Sequence, residues 1–210
     1  MKKIYKCIIF DLDGTVLDTE KMNIMPLQRL VKEELGKDVS YDSLLKYRAY
    51  AGKKTLELLG FKDIENSYNK WVKYVNEFEE GATLYNGFDK VIELIHEKGI
   101  ICGIASSKMK NQYEIDFLPT GLHKYMKSVV LAEDTENHKP HPEPLLKAVQ
   151  LLDIEPEDSM YVGDTLADYK SSKAAGMDFA LAVWGAADIT GIEADYNLEE
   201  PLDLLRVLGI

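Results

Sequence analysis

The sequence is poor in cysteine, in long apolar runs and in positive charge, and each scarcity removes a class of protein. Two cysteines in 210 residues, Cys7 and Cys102, cannot build a disulfide framework. Both sit inside apolar runs, which reads as buried, reduced thiols and sets the expectation of a cytoplasmic protein. No window approaches the roughly 20 apolar residues of a membrane span. The basic start Met1-Lys2-Lys3 leads only to the short apolar run Cys7 to Phe10, between Lys6 and Asp11, too short for a signal core. With 25 basic against 36 acidic residues the formal charge is −11. That balance argues against a nucleic-acid partner, because phosphate backbones select for basic surfaces. An anionic substrate stays open, provided cations are gathered locally. Internal repeats and low-complexity tracts are lacking as well. What is left is an ordinary globular composition, 46% apolar and 29% charged, long enough for one domain with an insertion.

Against that background one stretch stands out, Ile8-Ile9-Phe10-Asp11-Leu12-Asp13-Gly14-Thr15. An apolar run stops at two carboxylates two residues apart, followed by a glycine and a hydroxyl. A strand ending this way delivers Asp11 to the carboxyl edge of a sheet, where open α/β folds place their ligands. Gly14 lets the chain turn tightly beside a bound group. Two aspartates in one cleft can divide the work, one attacking and one moving protons. A plain strand followed by an Asp-Gly turn is the competing account. A calcium loop is excluded, since its glycine belongs at the sixth position and Gly14 is fourth from Asp11.

Two kinds of sequence alternate beyond this point. From Tyr85 onward strands and helices follow one another. Helices are expected over 89–98, closed by Gly99, over 142–152, with proline at its start, and over 166–175, closed by Gly176. Strands are expected over 100–105, 128–132, 160–162 and, as the last, 179–183. Repeated βα units imply a Rossmann-like parallel sheet with helices on both faces. Residues 16–81 differ. Leu27, Leu30, Val31 and Leu35 have helical spacing, as do Leu44 with Leu45 and the Leu56, Leu58, Leu59 group. Trp71, Tyr74, Val75 and Phe78 fall at i, i+3, i+4, i+7, an apolar helix face that reads as core. No strand is expected there. The reading is a catalytic core of 1–15 and 82–210 with an all-helical cap of 16–81 inserted in it.

Three further signals each follow an expected strand. Ser106, after Ile104-Ala105, offers a hydroxyl and a free backbone N–H to an oxyanion. Lys139-Pro140 follows the 128–132 strand. Gly163-Asp164-Thr165-Leu166-Ala167-Asp168 follows Met160-Tyr161-Val162. Singly each has a plain explanation: a helix cap, a solvated lysine, an acid at a helix dipole. Together, in this order on successive βα units, they point to a site. His138 and His141 flank Lys139, but no third His or Cys lies nearby, so zinc is not expected. His96, on a helix, and His123, in a connection, suggest no role. Arg48, Lys53 and Lys54 around Gly52 are either a solvated loop or a set reaching a substrate's leaving group. Trp184-Gly185 reads as packing.

At these residues the chain resembles the haloacid dehalogenase-like hydrolase superfamily, in its phosphatase branch with a small helical cap. Asp11-Leu12-Asp13-Gly14-Thr15 matches the nucleophile motif, Ser106 the Ser/Thr motif, Lys139 the lysine motif and Gly163 to Asp168 the acidic motif. Leu17-Asp18-Thr19-Glu20 and Ala174-Ala175-Gly176-Met177 are similar to phosphoglycolate phosphatase and β-phosphoglucomutase relatives. The resemblance implies that Asp11 attacks phosphorus, Asp13 acts as acid/base, and Ser106 and Lys139 hold the phosphoryl oxygens. Up to four negative charges beside a phosphate dianion need a hard cation, and oxygen donors suit Mg²⁺. Asp11, Asp164, the Asp13 carbonyl and, from farther out, Asp168 are the expected metal set. The expected activity is hydrolysis of a small phosphorylated metabolite, with no nucleic-acid or membrane partner. A phosphomutase with the same aspartyl-phosphate, or a non-catalytic regulatory protein on this fold, are the alternatives.

Overall fold

In the computed structural model, which describes residues 3–50 and 52–210, contacts divide the chain into two units. One comprises the residues up to Asp18 together with Thr83–Ile210; the other is Thr19–Ala82. The first unit is built on a six-stranded parallel sheet. Its strands are β1 (Cys7–Phe10), β4 (Ile101–Ala105), β5 (Met126–Val130), β6 (Ser159–Gly163), β7 (Asp178–Ala182) and β8 (Tyr196–Leu198). Their spatial order is β5-β4-β1-β6-β7-β8. The chain runs outward from β1 in one direction through β4 and β5, then crosses to β6 and runs outward in the other. The order therefore reverses beside β1, and the crevice at the carboxyl ends of β1, β4 and β6 is where such sheets hold ligands.

Helices cover both faces, as the alternating strands require. On one side α7 (Glu143–Gln150) packs against β1, β4 and β5 and against α8 (Leu166–Ala175), which lies along β6 and β7. Cys7, Ile9, Tyr161 and Phe179 point into that layer with Leu145 and Ala148. On the other side α5 (Phe88–Glu97) packs on β4 and against α9 (Asp203–Leu208). Phe10, one residue out of step with Ile9, meets Phe88 of α5 edge-on at 5.5 Å between ring centres. The period of two thus distributes one apolar strand between two helical layers.

The second unit contains α1 (Glu20–Leu35), α2 (Tyr41–Leu45), α3 (Gly52–Leu59) and α4 (Ile64–Asn76). Leu27, Leu30, Val31, Leu44, Leu56 and Trp71 form its buried centre. The aromatic stripe is core: Trp71 and Val75 are buried, Tyr74 and Phe78 pack beside them, and Trp71 Nε1 donates to the Asn23 carbonyl at 3.0 Å. Gly52 begins α3 rather than lying in a loop; a Cβ there would meet the Tyr68 ring at 2.7 Å.

Several expectations need correction. The segment 16–81 does hold a strand, β2 (Leu17–Asp18), which pairs antiparallel with β3 (Thr83–Leu84). That two-residue ribbon ties residues 16–18 to the sheet-bearing unit, so the division falls after Asp18 rather than after residue 15. The sheet does not end at 179–183, because β8 adds a sixth strand. Nor does the third strand reach Ala132, which turns into a short 3₁₀ segment whose Asp134 accepts from the Leu131 N–H at 2.8 Å.

Candidate active site

The register sets the level of every candidate residue. Phe10 stands opposite Ile104 on one side and Val162 on the other, and the Asp11 N–H still donates to the Val162 carbonyl at 2.9 Å. Asp11 is therefore held as the last sheet-bonded residue of β1, with Ser106 and Asp164 just past the ends of its two neighbours. Beyond it the chain turns at Gly14, whose φ is +77°. A Cβ there would lie 2.3 Å from an Asp164 oxygen, so glycine lets the first turn close on the third motif.

Asp11, Asp164 and Asp168 are buried, and each brings a carboxylate oxygen within 4.8 Å of the others'. Among the described residues they are the one such group of three or more metal-ligating side chains, and no histidine belongs to it. Asp164 accepts from the Thr15 hydroxyl at 3.2 Å. Asp168 opens α8 in a capping box, its Oδ2 accepting from the Thr165 N–H at 3.0 Å. Its Oδ1 takes Lys139 at 2.6 Å and the Tyr161 hydroxyl at 3.1 Å, so both oxygens are engaged. Asp168 is thereby fitted to hold its neighbours in place rather than to offer a lone pair itself.

Lys139 reaches the centre from the connection between β5 and α7. Its side chain is 6% exposed, and its ammonium lies 3.0 Å from Asp11 Oδ1 and donates to the Tyr161 hydroxyl oxygen at 3.0 Å. The approach to Asp11 is off the hydrogen-bonding direction, and the buried Asp11 Oδ1 is left without a hydrogen bond. Burial works against the charge on Lys139, but Asp11 and Asp168 outweigh it and raise its pKa, so it stays cationic. Burial raises the Asp11 carboxyl to about 6 despite Lys139, with Asp168 and Asp13 adding repulsion. Asp164 is pushed well above the usual carboxylate range by burial and then by Asp168 and Asp11. Burial also opposes charge on Asp168, yet Lys139 and the Thr165 bonds hold its pKa below normal. Three acids around one ammonium leave the site short of positive charge. Hard oxygen donors, one of them buried with no hydrogen bond and only the Lys139 ion pair, fit a divalent cation.

Asp13 is not part of this trio. Its side chain, 41% exposed, is met instead by Lys108 Nζ at 3.0 Å from Oδ1, and Lys108 also binds Asp116 of α6 (Lys110–Asp116). Ser106 is buried where expected, but its N–H is not free: it donates to the Val130 carbonyl at 3.0 Å, leaving the hydroxyl alone for a ligand. Trp184-Gly185 does more than pack. Trp184 Nε1 donates to the Thr15 carbonyl at 3.0 Å, and a Cβ on Gly185 would fall 1.7 Å from the Gly14 carbonyl oxygen. Arg48 pairs with Glu20, Lys53 with Glu65 at 2.6 Å and Lys54 with Glu57 at 2.9 Å, all within the helical unit. His141 is exposed and its Nδ1 accepts from the Glu143 N–H. Sequence reasoning missed Lys108 and Tyr161. A lysine two residues after Ser106, and a lone tyrosine in an apolar strand, were the signals present.

Known proteins are similar to this chain over nearly its whole length. Pyrophosphatase PpaX of Anoxybacillus flavithermus is 28% identical over 207 residues, covering 97% of this chain and 96% of its own. Phosphoglycolate phosphatase of Aquifex aeolicus is 30% identical over 214 residues, covering 97% and 96%. The crystal structure of a HAD-superfamily hydrolase from Geobacter sulfurreducens superposes with a TM-score of 0.77 at 22% identity, over 98% of this chain and 97% of that one, and so shares the fold. No helix among the described residues is long and apolar enough to cross a membrane. The pattern of the haloacid dehalogenase-like hydrolases matches residues 8–182, from β1 to the end of β7, and this chain belongs to that family of enzymes.

Proposed function

We propose that this hydrolase is a Mg²⁺-dependent phosphatase of small phosphorylated metabolites, acting in the cytoplasm through a phosphoryl group carried on Asp11. The observation that carries the reading is the convergence of Asp11, Asp164 and Asp168 beside Lys139, with a buried Asp11 oxygen that has an ion pair but no hydrogen bond. Asp11, Asp164 and the Asp13 carbonyl would hold the ion, with Asp168 behind them. When bound, Mg²⁺ supplies positive charge against the acids and the substrate phosphate.

The chain's own groups account for the remainder. An Asp11 oxygen attacks phosphorus in line, and the bond from phosphorus to the ester oxygen breaks. Asp13 gives its proton to that oxygen as it leaves with the bonding pair. Asp13, now a carboxylate, then takes a proton from water as the water oxygen attacks phosphorus. The bond to Asp11 breaks, releasing inorganic phosphate and restoring both acids. Lys139 and the Ser106 hydroxyl stabilise the phosphoryl oxygens as charge shifts onto them. The helical unit Thr19–Ala82 takes the role of the cap that selects the leaving group.

The test is phosphate release with Mg²⁺ across a panel that includes pyrophosphate, phosphoglycolate, sugar phosphates and p-nitrophenyl phosphate. Free phosphate from at least one metabolite supports the reading. A sugar 1-phosphate converted to its 6-phosphate in place of free phosphate assigns a mutase instead. No product from any compound overturns catalysis and leaves a regulatory role.

A further inference from the structure

Lys108 is a buried cation that no step above uses. It lies between β4 and α6 with its side chain 5% exposed, and it is pinned at every polar atom. Its carbonyl accepts from the Ala132 N–H at 3.1 Å, and its N–H donates to the Ser106 hydroxyl oxygen at 3.3 Å. Its Nζ is held by Asp116, itself buried, at 2.5 Å. One carboxylate would neutralise a buried lysine. Here the same ammonium also forms an ion pair with Oδ1 of Asp13 at 3.0 Å, off the hydrogen-bonding direction as Lys139 is at Asp11, although the Asp13 side chain is open enough for water to solvate it. Oδ1 is buried although the Asp13 side chain is 41% exposed, so the exposed part of the carboxyl is Oδ2. Anchoring α6 explains the bond to Asp116. It does not explain the reach to Asp13.

We propose that Lys108 is the positioning residue of the acid/base, clamping one oxygen of Asp13 so that the other is presented to the leaving group. The inference rests on the phosphatase reading above. In the first half-reaction the proton passes from Oδ2 of Asp13 to the ester oxygen as the phosphorus–oxygen bond breaks and that oxygen keeps the bonding pair. A carboxyl free to rotate would offer that proton in the wrong direction for part of the time, and misplacement near 1 Å can cost about 10²-fold. Lys108 also connects the two halves of the site: the loop that carries Ser106 holds the residue that aims Asp13.

The experiment compares two esters. A p-nitrophenyl leaving group needs no proton and an alkyl leaving group does, so the ratio of their kcat/KM values reports on Asp13 alone. In Lys108→Met the alkyl ester should lose about 10- to 100-fold more than the p-nitrophenyl ester, within the ~10²–10⁴ that general acid catalysis supplies. The charge-neutral pair Lys108→Met with Asp116→Asn should do the same, and it serves if the single variant, with Asp116 left unpaired in the interior, does not fold. Asp116→Asn alone keeps the Lys108–Asp13 pair and should keep the wild-type ratio. In an Asp13→Asn background, removing Lys108 should shift the ratio no further. Equal losses for both esters in folded protein, or a further shift without Asp13, overturns the proposal. Asp11→Asn is measured alongside: if it still turns over, the covalent mechanism on Asp11 fails, and the reading above with it. If it is dead while the ratio does not move, only the role of Lys108 fails.

Discussion

Charge is handled in opposite ways by the two units of this protein. In the helical unit it lies outside and in pairs: Lys53 with Glu65, Lys54 with Glu57, Lys70 with Glu33, their side chains 36% to 71% exposed. Such pairs contribute about 0–1 kcal/mol each and are screened by salt. At the sheet edge of the other unit charge lies inside and does not balance. Asp11 and Asp168 share the Lys139 cation, with Asp164 beside them, and taking each ion out of water costs several kcal/mol by order of magnitude. A fold under selection for stability alone would not collect these groups. The unit that tolerates that cost is the one to which we assign the chemistry.

The largest effect that tests this contrast is Asp11→Asn. Phosphate release should fall by at least about 10⁴-fold, the scale of losing a nucleophile, while circular dichroism stays native. Near wild-type turnover would remove the basis of the comparison. Metal comes next: EDTA should abolish activity and Mg²⁺ restore it. Ca²⁺ should replace it poorly, because its longer and looser coordination suits in-line transfer badly. Activity in a metal-stripped sample would mean that the acids balance without a cation. Third, Asp13→Asn should cost an alkyl ester roughly 10²–10⁴-fold and p-nitrophenyl phosphate much less, with phosphorylated Asp11 building up and visible by mass spectrometry.

The same contrast can be sharpened through stability. Burial raises the Asp11 carboxyl from its usual 3.8 to about 6, so below pH 4 it is protonated folded or unfolded and contributes no difference. As pH rises from 4 to 6 the unfolded chain releases the proton first, which destabilises the folded state, and the penalty levels off above 6. In metal-free buffer at pH 8, Asp11→Asn should therefore be more stable than wild type, by about 3 kcal/mol at most. Denaturant melts at pH 4 and 8 measure this, and the gap should close at the lower pH. Smallest of all, Lys53→Ala in the helical unit should shift stability by no more than about 0.5 kcal/mol, since both partners of its pair face solvent. A loss of several kcal/mol there would place hidden structural charge in that unit too.

What could be read from the chain alone follows the range of the interactions. Asp11, Ser106 and Asp164 each come directly after an apolar run, so local pattern was enough to set them at one edge of a parallel sheet. The aromatic stripe of α4 was legible for the same reason. Lys108 was not, because its burial comes from Asp116 and Asp13, eight and ninety-five residues away, and a Ser-Ser-Lys stretch reads locally as a cap. Tyr161 looked like strand core, and half of it is; its hydroxyl also donates to the Ala105 carbonyl and meets Lys139. Strand β8 is three residues in polar surroundings, and only the finished edge of β7 gives it a partner. The free N–H expected at Ser106 was lost to a neighbour strand for the same reason.

The approach of Gly185 to Gly14 carries a consequence for the order of events in synthesis. The Gly14 carbonyl rests where a side chain on residue 185 would be, so the turn that follows Asp11 is braced by backbone made 171 residues later. Asp164, which that turn also abuts, is likewise a late arrival. Asp11 is made 174 residues before Gly185, so a nascent chain that has passed the first turn still lacks the backbone against which that turn is set. The geometry beside Asp11 is completed only when residue 185 arrives.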